Sequence, residues 1–115
     1  MVIQRKDMKI EKRPQMRGGT GECTLTMLGG DTLQKHCRML SEIVIPVGSS
    51  IGEHEHTGET EYYIILEGRG IVRDNGVDTE VKPGDVVVTN NGAKHSIRTI
   101  GDVPVKMIAV IVTDA

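Results

Sequence analysis

Residues 48–68 read GSSIGEHEHTGETEYYIILEG. His54 and His56 stand two apart, so on a strand both imidazoles lie on one face. Two imidazoles on one face can bind a single ion. Glu61 opens the next strand, just past a Thr57-Gly58-Glu59-Thr60 hairpin, and can bring a carboxylate to the same point. One more imidazole would complete a set of three histidines and one glutamate. His95 is the natural candidate, because it opens a strand directly after the Asn90-Asn91-Gly92 turn. Such a set suits one divalent Mn, Fe, Ni, Co, Cu or Zn ion per chain. Four protein donors leave positions open on an octahedral ion, as a catalytic site requires, whereas structural zinc sites are closed. The competing carboxylates are Glu53, Glu55 and Glu59. Glu55 faces away from the two histidines, and Glu59, in the turn, is the alternative to Glu61. His36 lies in a loop region and reads as an ordinary surface residue.

On either side of this stretch, short apolar runs alternate with strong turn signals. Strands are expected over residues 22–28, 38–47, 52–56, 61–66, 69–73, 77–81, 86–89, 94–100 and 105–112. Asn75-Gly76 is a hairpin signal, and Pro83-Gly84 is a type II turn pair. Only residues 31–36 could start a helical turn. About nine short strands at near-even spacing point to an all-β antiparallel sandwich or barrel and exclude a doubly wound α/β fold. The first 21 residues read as a charged N-terminal arm ending in a flexible glycine-rich loop, with the barrel over 22–115. That loop lacks the Lys-Ser/Thr ending of a phosphate-binding loop. Tyr62 to Leu66 and Met107 to Val112 are apolar on both faces, although a sheet with one wet face should alternate. A second copy of the chain is the expected cover, which makes a homodimer.

The chain has 115 residues, the size of one domain. It has no Trp or Phe, so Val, Ile, Leu and Met must fill the core. A net charge of -2 without a basic patch, and only two aromatic residues, argue against nucleic-acid binding. No apolar run approaches the roughly 20 residues of a membrane helix. Residues 1–17 have no apolar stretch of the kind a secretory signal needs. Cys23 and Cys37 form neither a CxxC motif nor a disulfide framework, and read as reduced thiols of a cytoplasmic protein.

The histidine stretch resembles the first motif of the cupin superfamily, G-x5-H-x-H-x4-E-x6-G. Gly48, His54, His56, Glu61 and Gly68 fill every fixed position. The second motif, G-x5-P-x-G-x2-H-x3-N, is similar to Gly84, Asn90, Gly92, His95 and Thr99, with Asn90 in place of Pro and Thr99 in place of Asn. Neither departure removes a ligand. The resemblance implies a double-stranded β-helix, the jelly-roll or cupin barrel, often dimeric, with an open metal site. It is closest to the small single-domain cupins.

Strand parity names the pocket lining: Tyr63 and Ile65 with Glu61, and Ile97 and Thr99 with His95. The mouth is expected near Ile51 and Gly52, with Arg38, Arg69, Arg73 and Arg98 as candidate cations, Arg98 falling on the outward parity. Tyr63 is the candidate acid or hydrogen-bond donor. An aliphatic pocket with a charged centre suits a small carboxylate or keto-acid bound to the ion. The expected function is a metalloenzyme acting on such a molecule, and the alternative is a non-catalytic metal-dependent binding or sensor protein. A purely structural metal site is the third reading. The resemblance implies Arg or Asn three positions before the first ligand in oxalate decarboxylases and oxidases. Ile51 stands there, which disfavours oxalate turnover.

Overall fold

The computed structural model describes residues 1–114. Ten strands follow one another: β1 (Ile10–Pro14), β2 (Glu22–Met27), β3 (Cys37–Ile45), β4 (Ser50–Glu55), β5 (Glu59–Glu67), β6 (Arg69–Asp74), β7 (Val77–Val81), β8 (Val86–Thr89), β9 (Lys94–Ile100) and β10 (Val105–Thr113). They form a six-stranded sheet in the order β1-β2-β3-β10-β5-β8 and a four-stranded sheet in the order β4-β9-β6-β7. All pairings are antiparallel. This is the jelly-roll barrel expected of the sequence. The core lies between the sheets. Leu25, Ile43, Ile65, Met107 and Ala109 come from the large sheet, and Ile51, Val72 and Ile97 from the small one.

Turn chemistry fixes the registers. Asn75 (φ +49) and Gly76 (φ +90) join β6 to β7 in a two-residue loop, with Asp74 facing Val77. Positive φ at both central residues matches the right-handed twist of the strands. Gly68, between β5 and β6, also has positive φ. A Cβ there would lie 2.2 Å from the Pro104 carbonyl oxygen, so only glycine fits.

Two regions differ from the sequence expectation. Residues 31–36 form turns and not a helix: the Thr32 N–H and hydroxyl both donate to the Gly29 carbonyl, and the Cys37 N–H donates to the Gln34 carbonyl. The N-terminal arm contains strand β1, paired residue by residue with β2. Its inward-leaning residues are Glu11 and Arg13, while Ile10 is exposed. That reversal of the usual pattern hid the strand. Pro14 and inward charges are both at home on an edge strand.

The glycine-rich loop is a seated turn, not a free one. Residues Met16–Gly18 make a 3-10 turn; Gln15 (φ +49), just before it, and Arg17 (φ +54), within it, are left-handed. The turn lies backbone to backbone against β4. A Cβ on Gly19 would meet the Ser50 carbonyl oxygen at 2.3 Å, and one on Gly52 would meet the Arg17 carbonyl oxygen at 2.2 Å.

Candidate metal centre

His54 is on β4, His56 just after it, Glu61 on β5 and His95 on β9. In the small sheet, His54 and His95 face each other directly across β4 and β9. The register shifts between Ile51 and His54. The extra residue lets Ile51 and His54 both point inward although they are three apart. The two motifs are also stitched by main chain. The His56 N–H donates to the Ala93 carbonyl at 3.1 Å, and the Gly92 N–H donates to the His56 carbonyl at 2.9 Å.

The donor atoms of all four side chains lie within 4.8 Å of one another. His95 Nε2 is 2.9 Å from His54 Nε2 and 3.0 Å from His56 Nε2. Glu61 Oε1 is 2.9 Å from His56 Nε2 and 3.0 Å from His95 Nε2, and 3.6 Å from His54 Nε2. His56, Glu61 and His95 are buried, and His54 is nearly so.

Each imidazole is oriented from behind. His54 Nδ1–H donates to the Gly52 carbonyl at 2.8 Å. A carbonyl only accepts, so the proton sits on Nδ1 and Nε2 turns a lone pair to the centre. His56 Nδ1 bonds to Glu59 Oε2 at 2.5 Å, and His95 Nδ1 to the Thr89 hydroxyl at 2.7 Å. Metal-ligating histidines are held in this way. Arg38 in turn grips Glu59 with two hydrogen bonds, at 2.8 and 2.9 Å. Glu59 therefore stands behind His56 and does not replace Glu61 as a donor at the centre. The guanidinium of Arg38 holds the Glu59 carboxyl at about 2.

Burial opposes the charge on Glu61, yet His54 and His95 outweigh it and hold this carboxyl at about 2 as well. Burial pushes the His95 pKa down, which favours the neutral ring. The centre thus holds an ionised Glu61 carboxylate beside a His95 ring that burial favours in its neutral form. Glu61 Oε1 is buried with no hydrogen-bond partner despite its close neighbours. Acceptors facing one another at about 3 Å repel unless a cation lies between them, and donors bonded to one ion at roughly 2.1 Å stand at about that spacing. These residues fit a divalent transition ion. Bound there, it would act as a Lewis acid toward a carboxylate or carbonyl oxygen.

The rest of the pocket corrects the expected mouth. Ile51 is in the core opposite Ile97, and Gly52 lies beneath the N-terminal turn. Arg69 and Arg73 do not line the pocket and pair instead with Glu80 and Asp78 on the neighbouring strand. Of the arginines singled out by sequence, only Arg38 lines it. Arg13 and Arg17, from the arm, line it too, with no signal in the sequence that places them there. Met16, Met27 and Met39 form much of the apolar wall of this cavity of about 260 Å³. Tyr63, Ile65, Ile97 and Thr99 all face inward, as strand parity expects, but of the four only Tyr63 lines this cavity, and the other three lie in the core. Tyr63 stacks on His95 with ring centroids 4.9 Å apart, and its hydroxyl is 3.4 Å from His95 Nε2. Burial, and then the Glu61 charge, raise the Tyr63 pKa well above its ordinary 10, so the phenol keeps its proton. The Arg17 charge acts on the same hydroxyl in the opposite sense.

Comparison with known proteins agrees with fold and site. The cupin-domain family model matches residues 41–111, and the chain belongs to the cupin family. An oxalate-binding protein of Thermotoga maritima is 38% identical over 113 residues, covering 97% of this chain and 93% of that protein. The crystal structure of a predicted oxalate decarboxylase from Thermotoga maritima superposes with a TM-score of 0.89 at 38% identity, over 98% of this chain and 99% of that one. The Cnp3 cupin domain of Schizosaccharomyces pombe shares the fold at 18% identity, with a TM-score of 0.74, over 90% of this chain and 69% of that one.

Proposed function

We propose that the protein holds one divalent transition-metal ion on His54, His56, Glu61 and His95, and binds a small carboxylate or keto-acid at ion positions open to the pocket. The carrying observation is the orphaned Glu61 oxygen at the focus of three outward-anchored imidazoles. The cavity is small, apolar-walled and bordered by arginines, which suits a small anion. The oxalate-binding relative supports the same ligand class. We further infer a cytoplasmic homodimer. The cover it needs is described by the exposed apolar stripe of β5 and β8, where Tyr62 faces Val88 and Ile64 faces Val86.

The second reading is catalysis, with Tyr63 as the proton donor beside the ion. Its protonated hydroxyl near His95 Nε2 favours that role. Oxalate turnover is nonetheless expected to be negligible. Apolar Ile51 stands where the enzymes' polar residue would be, and the pocket's guanidinium groups come from other elements. Cobalt-loaded protein titrated with oxalate tests binding and turnover together. The expected result is a saturable shift of the visible cobalt bands with no oxalate consumed. Bands that no small acid moves would contradict acid binding. Clear consumption with manganese loaded would contradict the exclusion.

A further inference from the structure

Three arginines border the pocket, and two of them are already neutralised. Arg13 donates two hydrogen bonds to Glu11, at 2.7 and 3.2 Å, and Arg38 is held by Glu59. Arg17 takes part in none of the ion pairs among the described residues. Its backbone is left-handed, a conformation that is unfavourable for a non-glycine residue and persists only where the surroundings enforce it. The surroundings here are the glycine contacts with β4: the Arg17 carbonyl sits where a side chain on residue 52 would be. The carbonyl of that same Gly52 orients His54. The turn that carries the free guanidinium is therefore built onto the strand that carries a donor of the metal centre.

We propose that Arg17 is a specificity-determining residue that takes the distal carboxylate of the ligand, and that the ligand is a hydroxy- or keto-dicarboxylate. One end would meet the ion and the other would meet the pocket's uncompensated cation. This rests on the proposed metal-dependent binding of small acids. Oxalate can place both carboxylates on one ion, which leaves nothing for Arg17. A diacid with a chelating 2-hydroxy-carboxylate end and a second carboxylate uses both.

The test compares L-malate, L-lactate and oxalate on cobalt-loaded protein, by calorimetry and by the cobalt spectrum, with metal content measured in every sample. Malate and lactate share the chelating end, and only malate carries the distal carboxylate. The wild type should prefer malate by about tenfold or more, the size of one charge-assisted hydrogen-bonded pair. Arg17→Asn, whose new residue tolerates a left-handed backbone, should lose that preference while lactate and oxalate affinities and metal content stay unchanged. Arg17→Lys should restore part of it. Equal binding of malate and lactate by the wild type, with oxalate still bound, overturns the assignment to Arg17 alone. A malate loss that Arg17→Lys does not relieve, or that lactate shares, overturns it as well. Failure of all three acids to bind the metal-loaded wild type overturns the parent reading and this one together.

Discussion

His56 is held from behind by Glu59, and Glu59 by Arg38, so a surface guanidinium reaches the candidate metal centre through two hydrogen-bonded steps. The folded Glu59 carboxyl, at about 2, lies below its ordinary 4.5. Its ionisation therefore stabilises the fold fully above pH 4.5, and that contribution is lost as pH falls through about 2. Arg38 is 44% exposed, so solvent screening limits the effect to about 1 kcal/mol. Metal-free Arg38→Met should lose less stability than metal-free wild type between pH 5 and pH 2, read from urea midpoints at each pH. Parallel curves would contradict the coupling. The gathering of His54, His56, Glu61 and His95 at one point is legible in the sequence, because these residue types recur at spacings that suit a single ion. Arg13 and Arg17 are not. Nothing in a charged arm says which of its arginines a long-range pairing will bring to the pocket.

At the scale of elements, most strands were legible from turn chemistry. The hairpin at Asn75-Gly76 and the positive φ of Gly84 in the Pro83-Gly84 turn follow from residue type alone. Strand β1 was not legible, since its inward residues are charged and its outward Ile10 is 58% exposed. The register shift before His54 was equally hidden. Spacing alone puts Ile51 and His54 on opposite faces, whereas the bulge brings both inside. Gly68 shows what the last glycine of the first motif does. Gly68→Ala would force a Cβ onto the Pro104 carbonyl oxygen at positive φ. It should cost about 2–4 kcal/mol in chemical denaturation. A loss under 1 kcal/mol would mean that the β5–β6 turn has room to shift.

For the whole molecule, the sequence signal of doubly apolar strands corresponds to a real surface. Tyr62, Ile64, Leu66, Val86, Val88 and Val112 are each 37–54% exposed on the outer face of the large sheet. On the homodimer reading, Ile64→Lys should halve the mass seen by sedimentation at micromolar concentration and leave metal content unchanged. A wild type that already sediments as a monomer would remove the dimer. No described helix is long and apolar enough to cross a membrane. The central claim concerns the ion. Elemental analysis of untagged wild type should find close to one transition metal per chain, and His54→Ala/His56→Ala should abolish it while the fold persists. A folded wild type that takes up no metal, even after reloading with Mn, Fe, Ni and Zn, would contradict the account.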